Sequence, residues 1–196
     1  MRPTHLGTTL ALASLVLAVT ACSSSGSPTS SSVAAPTATV GTGCAALPKS
    51  GTGSITGMAG QPVATAAAHN PQLTDLTQAV HMANLSGTLD TSKSITVFAP
   101  DNGAFTSLEK ELGSTDVQRL MANQADLRDV LEYHVVSGRV TPADLASGKQ
   151  LTTLLGQPLH PVKTGSTYEI NDADVVCGNI RTANANVYII NKVLVP

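Results

Sequence analysis

The order of its periodic segments decides what this chain can fold into. Helical patterns come first, short β-branched runs come last, and no β-α-β alternation links them. That order points to an α+β fold with a largely antiparallel sheet. After a glycine-rich loop at 51–60, a short helix is expected from Pro62 through Ala67. Leu73, Leu76, Val80 and Ala83 then share one helical face, and Gly87 closes that region. Phe105, Leu108 and Leu112 make a second such face, closed by Gly113. Further turns are expected over 116–121 and 126–133, with Leu127, Val130 and Leu131 inward. "TPAD", Thr141 to Asp144, joins a capping residue, a proline at the first helical position and an acid at the third. Beyond it, the runs 151–155, 159–163, 168–171, 175–180 and 187–195 read as strands between Gly-, Asn-, Asp- and Ser-bearing turns.

The stretch "ITVFAPDNGAF", Ile95 to Phe105, compresses a strand, a stop and a helix start into one run. Ile95 to Phe98 is β-branched and aromatic, Pro100 ends the strand, and Asp101 offers a side-chain oxygen as N-cap. The chain has two phenylalanines and no tryptophan, and both phenylalanines, Phe98 and Phe105, stand here. Aromatic rings bring the largest buried area per residue, so both are expected to pack inward and fix the bend between strand and helix. Asp101, Asn102 and Gly103 are then left at the surface. The other reading of the two rings is a ligand pocket.

The N-terminal end is an address. Arg2, an apolar run from Leu10 to Val19 and the small residues of "VTAC" describe an export signal, too short for a permanent span. "VTAC" also resembles the bacterial lipobox, which implies cleavage before Cys22 and acylation of that cysteine. An ordinary signal peptide with a chance cysteine is the alternative. Residues 22–43 carry no charge and almost no large apolar side chain, so they read as a disordered Ser/Thr/Pro-rich tether, with a composition that permits O-glycosylation. The expected plan is a signal peptide over 1–21, a lipidated tether over 22–43 and one domain over 44–196. In an exported chain Cys44 and Cys177 are most economically one disulfide, with two free thiols as the alternative. A net charge of −2 with no basic cluster gives nucleic-acid binding no support.

Catalytic patterns are fragmentary. Ser107 to Lys110 is S-x-x-K and Lys163 to Gly165 is K-T-G, two of three elements of penicillin-binding proteins and class A β-lactamases, but no S-x-N lies between them. "GCAALPKS" at Gly43 to Ser50 places Pro48 where a phosphate loop needs glycine. His69, His81, His134 and His160 have no zinc-ligand spacing. The chain is therefore read as non-enzymatic, without metal or cofactor.

Three blocks in order, "TVFAPDNGAF", "LEYHVVSGRV" (Leu131 to Val140) and "NVYIINKVLVP" (Asn186 to Pro196), resemble the first block, the Tyr-His motif and the second block of the fasciclin domain. "GMAGQPVATAAAHNPQLTDLTQAV", "VVCGNIRTANANVYII" and the two cysteines are similar to one branch, the mycobacterial secreted antigens of this fold and their lipoprotein relatives. The resemblance spans 44–196. It implies an antiparallel β-sandwich-like core wedged against several α-helices, and an extracellular adhesion or attachment role without catalysis. It carries a structural or partner-binding role onto Phe98, Pro100, Asp101, Asn102, Phe105, Tyr133, His134 and Asn191. Two departures stand out. Asp101-Asn102-Gly103 replaces the usual Thr-Asn-Glu, and Asn191 stands where the second block has Asp, so integrin adhesion is not carried over. Tyr133 and His134 have two readings, a partner contact or a packed pair with satisfied polar atoms. The expected protein is held at the cell membrane by its lipid on the extracytoplasmic side, a shed form being the variant. It displays a module that binds a protein, glycan or envelope lipid. A carrier of a hydrophobic ligand is the alternative.

Overall fold

The computed structural model describes residues 38–196. The expected signal peptide, Cys22 and most of the expected tether lie outside them. Four helices come first: α1 (Ile55–Met58), α2 (Val63–Ala68), α3 (Thr74–Met82) and α4 (Ser86–Thr91). Strand β1 (Ile95–Pro100) then runs into α5 (Asn102–Leu112), followed by α6 (Ser114–Ala122) and α7 (Gln124–Tyr133). After β2 (Val135–Ser137) and α8 (Pro142–Ala146) come β3 (Leu151–Thr152), β4 (Pro158–Leu159), β5 (Pro161–Thr164), β6 (Thr167–Ile170), β7 (Ala173–Arg181) and β8 (Ala185–Ile190).

The main sheet has six strands in the order β2-β1-β8-β7-β6-β5. It is mixed: β1 and β8 run parallel, from Ile95 opposite Ala185 to Pro100 opposite Ile190, while its other pairs are antiparallel. Both strands are buried along their whole length because the sheet has a core on each face. Ile95, Val97, Ala99, Val187 and Ile189 join the core beneath the first helices. Phe98, Tyr188 and Ile190 point into a second core. There Phe98 and Tyr188, partners in register, bring their ring centroids within 5.7 Å. A Cβ on Gly178 would stand 2.3 Å from the Tyr188 ring, so only glycine fits beside it.

A third core gathers Ala104, Leu108, Val117 and Val130 from α5, α6 and α7. Phe105 is half-buried between this core and the first, so only Phe98 of the two phenylalanines is fully enclosed. Leu112, expected on the inward face, is 49% exposed at the last turn of α5. Gly87 does not end the helical region. Asn84, at φ 56°, breaks the chain after α3, and α4 starts around Gly87 with Leu89 buried. The run 187–195 leaves the sheet after Ile190, because its partner β1 stops at Pro100 and turns into α5. His160 splits the run 159–163 by giving its N–H to Asn171 Oδ1.

Residues 38–43 also differ from the expected tether. Val40 exchanges backbone bonds with Gly178 (3.1 and 2.7 Å), and Asn179 Nδ2 donates to Ala38 O at 3.0 Å. The physical reason lies in β7. Strand β6 pairs with it only at Ala173 and Asp174, and register shifts around Cys177 leave the Gly178 backbone to a new partner. A 3-10 turn over Thr42–Ala46 follows, and Cys44 is bonded to Cys177 with Cα atoms 4.8 Å apart.

Asn184, in the β7–β8 turn, ties two early helices together. Its Oδ1 accepts from Val63 N at the start of α2 (2.9 Å), and its Nδ2 donates to Leu89 O (2.7 Å) and Ser92 O (2.8 Å). Asn184→Ala removes one helix cap and strands two carbonyls, an expected loss of about 2 kcal/mol in a urea titration. A loss below about 0.5 kcal/mol, the range of ordinary surface changes, would show that water replaces these bonds.

Candidate functional site

Three segments far apart in sequence meet at the C-terminal end of β1. Phe98 N donates to His134 O (2.9 Å), Asp101 N to Ile190 O (3.0 Å) and Leu194 N to His134 Nε2 (3.0 Å). These bonds join the strand-helix bend, the end of α7 and the chain beyond β8. Pro100, also buried, closes β1 opposite Ile190.

Tyr133 and His134 leave the end of α7 in different directions. Tyr133, in the second core, donates its hydroxyl to Pro158 O (3.3 Å) and accepts from Asn171 Nδ2 (3.0 Å). His134, 2% exposed, places Nδ1 2.7 Å from Val130 O. Since Nε2 accepts from Leu194, the proton must sit on Nδ1, and the ring is neutral. Burial pushes the His134 pKa down from 6.5 to about 4, with the Val130 bond opposing the shift. A neutral buried imidazole favours the closed structure fully above pH 6.5. Below that value an exposed ring binds protons that the buried one does not, so the advantage shrinks until pH reaches about 4.

The other motif residues are also engaged internally. Asp101 Oδ1 caps α5 by accepting from Ala104 N (2.8 Å). Asn102 caps a different helix: its Oδ1 accepts from Thr74 Oγ1 (3.1 Å) and Asp75 N (3.2 Å) at the start of α3, and its Nδ2 donates to Pro71 O (3.1 Å). Asn191 is exposed, yet its Oδ1 accepts from Asp174 N (2.8 Å) and its Nδ2 donates to Asp174 Oδ2 (3.1 Å). Among the described residues no buried side-chain nitrogen or oxygen lacks a partner.

Beside the junction lies an apolar crevice of about 60 Å³ between α2–α4 and α7, floored by Val97, Leu131 and Val135, with His81, Glu132 and Leu154 at its rim. Sites for drug-sized ligands run to roughly 300–1,000 Å³. Ser107 and Lys163, the fragments of a serine-lysine pattern, are occupied elsewhere. Ser107 Oγ donates to Gly103 O (3.0 Å), and Lys163 Nζ lies 5.5 Å over the Tyr168 ring. Sequence reasoning missed Asn171, Leu194 and Asn184, because each acts on a partner distant along the chain and carries no local signature beyond its turn or apolar character.

Comparison with known proteins adds the following. A fasciclin-domain family model matches residues 71–196. The chain is 41% identical over 165 residues to immunogenic protein MPB70 of Mycobacterium bovis, covering 80% of this chain and 82% of that one. It is 39% identical over 165 residues to the cell surface glycolipoprotein MPB83 of the same species, covering 80% and 72%. In fold it is similar to the FAS1 domain pair of the insect cell adhesion molecule Fasciclin I, with a TM-score of 0.62 at 15% identity, over 71% of this chain and 52% of that chain.

Proposed function

The chain belongs to the fasciclin-domain family, and on that premise we propose that it is a lipid-anchored contact module on the extracytoplasmic side of a bacterial membrane. It binds a protein, glycan or envelope component and turns over no substrate. In this reading residues 1–21 direct export, Cys22 receives the lipid, and the residues after it hold the folded part away from the bilayer. The carrying observation is the junction at the end of β1. The motif residues Phe98, Asp101, Asn102, Tyr133 and His134 are bound to other parts of the same domain, which leaves a rigid body whose outer surface makes the contacts. Relatives described as an immunogenic protein and as a cell surface glycolipoprotein support an extracytoplasmic place. The fold of a cell adhesion molecule supports a contact role. Among the described residues no helix is long and apolar enough to cross a membrane.

The carrier alternative has less behind it, since the crevice beside the junction is several-fold smaller than sites that enclose a lipid or a drug-sized molecule.

Two experiments test the proposal. Cys22→Ala is expected to move the protein from the membrane fraction to the soluble fraction while its circular dichroism spectrum stays that of the wild type; continued membrane association would remove the lipid anchor from the proposal. The soluble Cys22→Ala protein, immobilised and exposed to envelope extracts, is expected to retain a saturable protein or glycan partner. Recovery of only a stoichiometric lipid would favour the carrier instead.

A further inference from the structure

Beyond Asn191 the chain leaves the sheet, and its polar attachments share one chemistry. Lys192 Nζ stands 2.6 Å from Asp172 Oδ2 and 3.7 Å from Glu111 Oε1. Leu194 N donates to the lone pair of His134 Nε2. Both attachments are made to titratable partners, and the Leu194 bond requires a neutral imidazole, which protonation of the ring removes. Asn191, where the segment leaves β8, adds a third carboxylate contact through Asp174 Oδ2.

The apolar attachments show what the segment covers. Val193 is buried in the α5–α7 core and Leu194 in the core of Phe98 and Tyr188, so two successive side chains close two different cores. His134 lines both the 60 Å³ crevice beneath α2–α4 and a void of about 10 Å³ on the α5–α7 side that Val193 also lines.

We propose that Lys192–Pro196 is an acid-released latch, closed over the seam between these two cores at neutral pH and detached in acid while the sheet remains paired. Protonation of His134 places a hydrogen on Nε2 facing the Leu194 N–H, two donors with no acceptor between them. The Val130 bond at Nδ1 survives, so the ring keeps its position on α7 and only the latch loses its partner. Residues 97–99 and 187–189 keep their parallel ladder, and the disulfide lies on β7, away from the released segment. Detachment uncovers Val193, Leu194 and the sockets they fill, an apolar surface present only in acid.

The charged and titratable groups around the imidazole are few. From α7 comes Glu132, paired with Arg128 at 2.8 Å; from α3 comes His81, exposed and 3.3 Å from Ser86 Oγ; from the latch itself comes Lys192. β1 and β2 contribute Phe98 and Val135, while α5 and α6 contribute apolar side chains. The low pKa of His134 comes from burial, with the Val130 bond opposing it.

Amide hydrogen exchange on the wild-type protein tests the latch. After correction for intrinsic exchange, protection of the Leu194 amide is expected to fall between pH 7 and pH 4 by up to roughly 100-fold, the limit set by an ordinary histidine at 6.5 and the buried ring at about 4. Protection at Val187 and Ile189 in β8, and the far-ultraviolet circular dichroism, are expected to hold over the same range. Leu194 protection that stays constant relative to Val187 would overturn the latch, as would a joint loss of both with the circular dichroism signal.

Discussion

A Cys44→Ser protein is expected to melt roughly 10 °C below the wild type in oxidising buffer. The bond joins residues 133 apart in sequence, and closing so long a loop stabilises the folded state by about 5 kcal/mol in the chain-entropy model, with 2–5 kcal/mol the usual range for natural disulfides. For a chain of this size each kcal/mol moves the melting temperature by about 2–4 °C. Without the bond, residues 38–44 keep two backbone bonds to Gly178 and the Asn179 bond to Ala38, which are near the surface and worth about 1 kcal/mol each at most. Calorimetry with and without reductant is the check. Reductant is expected to lower the wild type to the Cys44→Ser value and to leave the variant unmoved. Equal melting temperatures for the two oxidised proteins would mean that the folded state gains nothing from the bond.

The second large effect is at Phe98. Its ring is fully buried and packs against Tyr188, so Phe98→Ala is expected to cost about 3–5 kcal/mol in a denaturant titration. Phe105→Ala is expected to cost roughly half as much, since that ring is half-buried between two cores. The comparison separates two side chains that stand seven positions apart in one motif and look equivalent in sequence. Equal costs would place both rings in the same environment, contrary to the geometry.

What could be read ahead of the structure was local. Asp101 caps α5, and Thr141 forms a full capping box with Asp144, because both signals need only residues within one helical turn. The burial of Phe98 followed from the scarcity of aromatics. The unread features all join residues far apart: β1 lies parallel to β8 about ninety positions on, and His134 accepts from an amide sixty positions on. Asn184 reads as a turn residue, and nothing beside it in sequence reveals that its amide group holds α2 and α4. The tether boundary failed for a related reason. Val40 lacks a strand pattern of its own and becomes ordered only because β7 offers an unpaired glycine backbone. The candidate site divides in the same way, its residues visible as a motif but its convergence visible only in three dimensions.

The bond between Cys44 and Cys177 also decides how the domain responds to tension. A pull entering from the N-terminal side reaches β7 through the two sulfur atoms, so α1–α8 hang in a closed covalent loop that the force passes by. Of the described residues, only those before Cys44 and after Cys177 can be drawn out while the bond holds. Cutting it adds roughly 450 Å of slack, the extended length of the bypassed loop.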